Sequence, residues 1–361
     1  MYNRLKGSIE GSMVVNLAAF IIILAGVIYA KSIITPFLLA LFISIICAQP
    51  ISWLEKKKIP RGFALIIVLL GMIILFSGFA LVIGGTISSF SGNLSKYETS
   101  LTEINDGFID GLNGMGLKIN SDQISNLVQP AKILEYTASV LNTLVNMVGN
   151  TFLIFLIVVF ILMEFGSFSI KAKAVRSESN TSIPYFSTIS QNIRHYLGIK
   201  TILCISVGVL IYIALMIIGV DYPLLWALIA GLMNYIPNIG SVIATIPTAL
   251  FALVQLGPGG AIWTLVTSMV VHNVLGNFLE PRIMGKGLGL STLVVFLSLL
   301  FWGFVFGLVG MFLSVPLTMT IKIILEQNEK TNWIAILLGT PTDAKAHLEQ
   351  RENRMGSRTE E

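Results

Sequence analysis

Two apolar stretches decide the fold, WALIAGLMNYIPNIGSVIATIPT at residues 226–248 and VVFLSLLFWGFVFGLVGMFLSVPLT at residues 294–318. Both are apolar enough for lipid, yet Ser, Thr, Pro and Gly recur in each of them. Because hydrocarbon offers polar groups no partner, interrupted apolar segments of this kind usually line a cavity or pack against other helices. We predict that the region between Trp226 and Thr318 forms the path of a solute through a membrane.

The composition is that of a polytopic membrane protein. The mean hydropathy is +0.83 and 12% of the residues are charged, compared with about 25% in an ordinary soluble protein. One dominant apolar body with short polar stretches predicts a single membrane domain. Cys47 and Cys204 lie in apolar spans without partners at metal-ligand spacing, so neither a disulfide framework nor a metal site is expected.

The positive charges predict the orientation of the chain. Lysines 56–58 follow the second apolar span, and short loops rich in lysine stay in the cytoplasm. Two spans precede this loop, so the N-terminus is predicted to be cytoplasmic as well. The basic side chains between Lys171 and Lys200 and those of Arg282 and Lys286 predict further cytoplasmic segments, and we expect a cytoplasmic C-terminus.

The remaining polar segments divide the chain into regions. The segment Ser88–Thr143 carries six acidic and three basic side chains, as expected of an insertion outside the cell. The amphipathic segment Ile183–Leu197 is predicted to lie on the membrane surface or against a neighbouring element. The predicted regions are N-terminal transmembrane helices (1–87), an external helical insertion (88–143), a transmembrane helix and cytoplasmic amphipathic segment (144–200), a transport core with two hairpins (201–326) and a cytoplasmic tail (327–361).

Each of the two apolar stretches is predicted to form a helical hairpin. Its arms have about 15 residues and span about 22 Å as helix, less than the ~30 Å of the hydrocarbon core. Re-entrant hairpins, bent near the middle of the membrane, fit these lengths better than full crossings. We assign a gating role to Pro237, Gly240, Gly307 and Gly310 at the two bends, because glycine allows the backbone to turn and approach closely.

The hairpins are predicted to enter from opposite sides of the membrane. Between them, Gly257–Gly260 is expected to form an outer turn and Ala261–Glu280 an ordinary full crossing. Inverted repeats with broken helices are typical of secondary transporters. The predicted fold class is an all-α polytopic membrane protein, in which transmembrane helices are combined with two inverted broken-helix hairpins and one external helical insertion.

A small set of amide and hydroxyl side chains interrupts the apolar core. Amides both donate and accept hydrogen bonds, which suits a small polyhydroxylated solute or a partly hydrated cation. The alternative is that they join helices or cap broken helix ends. The candidate substrate-binding residues are Asn234, Asn238, Ser241, Asn273 and Asn277.

Two ionisable residues are candidates for coupling transport to an ion. Glu280 could bind a proton or Na⁺ at the end of a membrane helix, or it could form a salt bridge with Arg282 or Lys286. His272 could titrate near neutral pH, or it could be a hydrogen-bonded packing residue. The sequence contains no P-loop, nucleophile elbow or metal-ligand cluster, so we predict no enzymatic activity, no cofactor and no nucleic-acid partner.

Three segments resemble a known family. They are NYIPNIGS (Asn234–Ser241), LEPRIMGKGLGLSTLVVFLSLLFWG (Leu279–Gly303) and GMFLSVPLT (Gly310–Thr318), which are similar to the signature of the autoinducer-2 exporter family. The resemblance extends over nearly the whole chain and includes the KKKIPR loop. Much of the wider family has His-Pro where this chain has Ser291-Thr292, a pair more similar to the autoinducer-2 exporters themselves.

The resemblance implies an inner-membrane exporter of autoinducer-2, a small quorum-sensing signal. It also implies a homo-oligomer, for example a pentamer, while proton or sodium coupling is an expectation from Glu280 and His272. Some relatives resemble Na⁺(Li⁺)/H⁺ antiporters, so a monovalent cation/proton antiporter is the alternative, because a shared fold does not fix the substrate.

Overall fold

The computed structural model is helical throughout the part of the chain that it describes. It describes residues 2–93, 151–178, 184–284, 289–328 and 330–341, and the single positions 99, 103, 139, 344, 345 and 348. Most of the predicted external insertion therefore lies outside the described residues. In chain order the elements are α1 (Tyr2–Tyr29), α2 (Lys31–Lys56), α3 (Arg61–Gly92), α4 (Thr151–Glu178), α5 (Pro184–Ile218), α6 (Pro223–Met233), α7 (Ile239–His272), a π-helical turn (Asn273–Leu279), α8 (Glu280–Met284), α9 (Thr292–Phe306), α10 (Leu308–Glu326) and α11 (Asn332–Leu338).

Five helical segments of the described chain are long and apolar enough to cross a membrane. They are Lys31–Lys56, Arg61–Thr86, Gln191–Ile218, Ile239–Met284 and Leu308–Glu326. Their outward faces carry many exposed Leu, Ile, Val and Phe side chains, as lipid contact requires. The prediction of an all-α polytopic membrane protein is confirmed.

Helix α5 joins two segments that the sequence analysis separates. The predicted amphipathic segment ending at Leu197 and the predicted crossing from Thr201 form one continuous helix, Pro184–Ile218. The buried face of the amphipathic part, with Ile193 and Leu197, continues through Gly198 to Val207. Gly198 itself is helical.

The region between the two hairpins also differs from the prediction. The expected outer turn at Gly257–Gly260 is reduced to a kink at Gly257, with φ 75° and ψ −169°, inside α7. Pro258 tolerates this arrangement because the first turn of a new helix does not need its N–H. The expected crossing Ala261–Glu280 lies within the apolar segment Ile239–Met284, and its last third is the π-helical turn.

The described chain forms two compact units. The first contains Met1–Ile45, Leu153–Ile189 and Gly289–Glu361, and the predicted second hairpin, α9 and α10, lies in it. Trp302 Nε1 donates a hydrogen bond of 3.0 Å to Thr318 Oγ1 across this hairpin. In the same unit α11 packs against α10, and the Ser291 N–H donates to the Leu338 carbonyl at 3.0 Å.

The second unit contains Ile46–Phe152 and Ser190–Leu288, with the predicted first hairpin, α6 and the start of α7. Helices α5 and α6 approach closely, and a Cβ on Gly231 would lie 2.9 Å from the Cys204 carbonyl oxygen. Small residues allow this close packing between membrane helices. Trp226 and Phe251 pack between α6 and α7 with ring centroids 5.4 Å apart.

Candidate functional site

A buried ion pair lies in the second unit. Lys200 Nζ on α5 donates to both carboxylate oxygens of Glu280 on α8, at 2.7 and 2.8 Å. The Lys200 side chain is 3% exposed and that of Glu280 is 19% exposed. Charges are expensive in a membrane unless they are paired, and residues of this kind often mark a solute or ion path.

The π-helical turn explains why Glu280 faces Lys200. In an uninterrupted α-helix, Glu280 would lie about 140° around the axis from Leu275, five residues earlier. In the structure the Glu280 N–H donates to the Leu275 carbonyl, a five-residue step that defines a π turn. Glu280 therefore follows Leu275 on the same side of the helix, and Leu275 is buried.

Polar groups of α5 and the α6–α7 bend surround the ion pair. Tyr196 and Cys204 lie one helical turn from Lys200 on either side, are both buried, and are within electrostatic range of Glu280. Asn234 is also buried, and its Nδ2 donates to Cys204 Sγ at 3.5 Å. The resulting cluster combines an ammonium, a carboxylate, a phenol and an amide.

Next to this cluster, Thr201 Oγ1 and the hydroxyl of Tyr235 are hydrogen-bonded at 2.7 Å. This bond joins α5 to the bend after α6. The bend therefore adds a second phenol to the polar surroundings of α5.

A stripe of polar residues leads along α7 towards Glu280. Thr264 and Ser268 are buried one turn apart, and His272 follows one turn later, within electrostatic range of Lys200. The Thr264 hydroxyl and both His272 ring nitrogens are buried without a hydrogen-bond partner among the described residues. A buried polar group without a partner costs about 1–3 kcal/mol, so this face favours a polar ligand.

The amides predicted to bind substrate occupy different environments. Asn234 is buried in the cluster, whereas Asn238, Asn273 and Asn277 are exposed. Asn277 Nδ2 donates to Asn273 Oδ1 at 2.8 Å, and Asn273 Nδ2 donates to the Met269 carbonyl. No hydrogen bond joins Asn234 or Asn238 to these two within the described residues.

The first bend contains the remaining candidates. Pro237 precedes Asn238, which has φ 60° and ψ −44° directly before α7. Ser241 Oγ donates to the Asn238 carbonyl at 3.2 Å. Gly240 is buried, and a Cβ there would collide with the Met233 carbonyl oxygen. The bend is therefore held by backbone and side-chain contacts of its own.

The second bend also contains a glycine whose Cβ position is blocked by the backbone. Gly307 has φ 65° and ψ −144° between α9 and α10. A Cβ on Gly310 would collide with the Trp302 carbonyl oxygen and lie 2.9 Å from Phe306 Cβ. Both hairpins thus depend on a glycine at the point where the second arm leaves the bend.

Lys200 is the functional candidate that the sequence analysis missed. It was assigned to a cytoplasmic basic cluster, but it is buried and paired with Glu280 rather than left in water. Glu280 pairs with Lys200 and not with Arg282, which lies over the Phe278 ring at 3.8 Å from its centroid, while Lys286 lies outside the described residues. A signal for Lys200 exists, because it occupies one position of a buried helical seam formed by Ile193, Leu197, Lys200, Cys204, Val207 and Ile211.

We predict that Asn234→Ala weakens solute transport about ten-fold or more, since loss of one amide from a buried polar site costs about 1–3 kcal/mol. Asn273→Ala is the matched control on the exposed pair, and we expect a smaller effect. The two positions are compared by measuring the initial transport rates of both variants at equal protein density. A larger loss for Asn273→Ala would place the substrate site on the exposed side of α7.

The spans, the broken hairpins and the buried polar cluster are features of a membrane transport protein, and comparison with known proteins agrees. The chain belongs to the AI-2E transporter family, whose sequence pattern matches residues 17–330. It is 35% identical over 330 residues to the AI-2 transport protein TqsA of Escherichia coli K12, covering 90% of this chain and 95% of that protein. The predicted family resemblance is confirmed, and the family and its relatives are transporters rather than enzymes.

Two further relatives are named only as candidate transport proteins. A protein of Haemophilus influenzae is 38% identical over 337 residues, covering 91% of this chain and 97% of its own length. YhhT of Escherichia coli K12 is 34% identical over 336 residues, covering 93% and 96%. These matches support a transport role for the whole chain.

Proposed function

We propose that this protein is a secondary transporter that exports autoinducer-2, or a similar small polar metabolite, from the cytoplasm. The observation that carries the proposal is the buried Lys200–Glu280 pair within a polar cluster between membrane helices. Its phenol and amide groups, with the His272 imidazole beside it, can donate to and accept from the hydroxyl groups of a small solute. The relative named as an AI-2 transport protein supports the choice of solute.

The proposal places the protein in the bacterial cytoplasmic (inner) membrane, with both termini in the cytoplasm. The lysines at 56–58 support this orientation. Export lowers the internal level of the signal, which links the protein to quorum sensing. The functional form is proposed to be a homo-oligomer, such as a pentamer, embedded in the lipid bilayer.

The two hairpins are proposed to act as gates. Each has a bend next to a glycine that no larger residue can replace without moving the backbone, Gly240 in one and Gly310 in the other. A bend with its own hydrogen bonds can move as a unit, and paired broken helices permit alternating access to one site. Pro237 and Gly307 complete the proposed gating set.

The alternative is a monovalent cation/proton antiporter. Glu280 favours it, because a carboxylate in a membrane span can bind a cation or a proton. Coupling through Glu280 and His272 would also serve the exporter, with a proton as the driving ion, whereas Na⁺ could take that part only if Lys200 left Glu280. The Lys200 ammonium already occupies both Glu280 oxygens, which argues for the exporter.

The function is tested in proteoliposomes with imposed proton and sodium gradients. We expect efflux of labelled autoinducer-2 that depends on the protein and is absent from empty vesicles. Labelled Na⁺ should not follow the same protein dependence. Protein-dependent Na⁺/H⁺ exchange without autoinducer-2 movement would establish the alternative instead.

A further inference from the structure

The charge balance of the cluster limits which solutes it can accept. Glu280 presents two carboxylate oxygens, and both are hydrogen-bonded to the Lys200 ammonium at 2.7 and 2.8 Å. A cation that binds Glu280 must first displace this ammonium. Lys200 is 3% exposed, so a displaced ammonium would remain away from water without its partner, which is strongly unfavourable.

We propose that Lys200 is the resident counter-ion of Glu280 and determines the charge selectivity of the site, so that monovalent cations are excluded and solutes without net charge are admitted. The selection among transported solutes rests on the proposed transport function. The test below measures cation binding and does not depend on transport. The described neighbours of the pair, Tyr196, Cys204 and His272, bring no second carboxylate. Removal of the ammonium would therefore leave a bare carboxylate, a ligand that can bind a monovalent cation.

The position of the pair supports a specific role rather than a chance contact. Lys200 lies within the buried seam of α5, between Leu197 and Cys204. Glu280 reaches it only because the π turn carries the carboxylate onto the buried side of its helix. Two independent local features therefore bring the charges together, and π turns are frequent at functional sites.

The test measures whether Na⁺ stabilises the purified protein against thermal unfolding. Melting temperatures are compared in sodium chloride and in choline chloride at equal ionic strength. We expect no difference for the wild type, because Lys200 blocks the carboxylate. Lys200→Met should melt at least about 3 °C higher in sodium, since a bound ligand stabilises the folded state.

Three controls identify the ligand. Lys200→Arg keeps a counter-ion and should not respond to sodium. Adding Glu280→Gln to Lys200→Met removes the carboxylate and should abolish the response. The exchanged pair Lys200→Glu with Glu280→Lys preserves the charge balance and should also be insensitive.

A sodium response of the wild type, or none from folded Lys200→Met, would overturn the proposal. If Lys200→Met does not fold, Lys200→Gln is used in its place. Its amide can still donate a hydrogen bond to Glu280 but carries no charge, so the same sodium response is expected. If neither folds, uptake of labelled Na⁺ by the wild type decides, and uptake would refute cation exclusion. Since unfolding requires no transport, failure of the proposed function is seen separately, as an absence of autoinducer-2 efflux.

Discussion

Lys200→Met is expected to destabilise the folded protein by about 3–5 kcal/mol, the usual cost of removing one partner of a buried ion pair. The partner left behind is the Glu280 carboxylate, whose side chain is 19% exposed. Partial contact with solvent places the effect near the lower end of that range. Thermal or denaturant unfolding of the purified protein in choline chloride measures the change without a cation that could replace the ammonium.

The double variant Lys200→Met with Glu280→Met separates the charge from the shape of the site. It removes both charges and keeps two unbranched side chains that suit a helix and fill irregular space. Its stability should be within about 1 kcal/mol of the wild type, because apolar replacement of a buried ion pair is often neutral. Equal stabilities for the single and double variants would show that the pair is not coupled.

Gly240→Ala and Gly310→Ala are each expected to lower the free energy of unfolding by about 3 kcal/mol or more. Overpacking typically costs about 1–3 kcal/mol, and both positions lie at the upper end of that range. The added methyl would overlap a backbone oxygen, that of Met233 or of Trp302. Neither carbonyl can move aside as a flexible side chain can, because Trp302 lies within α9 and the Met233 carbonyl accepts from the Ile236 N–H in the bend. The yield of folded protein and its melting temperature measure the effect.

Gly71→Ala is the matched control for both glycine variants. It lies in α3, where a Cβ would meet nothing within 4 Å. Alanine is a better helix former than glycine by about 0.5–1 kcal/mol, so this variant should be as stable as the wild type or more so. Full stability of Gly240→Ala or Gly310→Ala would mean that the hairpin bends tolerate a shift of the backbone.

Much of the fold is predictable because the membrane restricts the choices. An apolar chain must form helices, and the prolines and glycines at 237–240 and 307–310 mark where the hairpins bend. The α9 arm has 15 residues, as predicted, whereas the α10 arm has 19 and is long enough to cross a membrane. The kink at Gly257 was harder to predict, because Gly-Pro-Gly-Gly is equally compatible with a loop and with two helices joined at one residue.

The site was predictable only in part. Glu280, His272 and Asn234 attract attention because polar side chains are rare in apolar stretches. Lys200 did not, since Arg194 and other basic residues nearby resemble a cytoplasmic cluster, and its contact with Glu280 joins residues 80 positions apart. The π turn leaves no simple signature in the sequence NVLGNFL, although it determines which side of the helix carries Glu280.

The efflux rate of labelled autoinducer-2 through the Lys200→Met, Glu280→Met double variant tests the central claim most directly. That claim is that the polar cluster around the ion pair is the transport site. Wild-type and variant proteoliposomes are compared at equal protein density, after unfolding has shown that both are folded. Loss of hydrogen bonds to charged groups, each worth about 1.5–3 kcal/mol, predicts a rate at least about ten-fold below the wild type. A folded double variant that exports autoinducer-2 at the wild-type rate would contradict the claim.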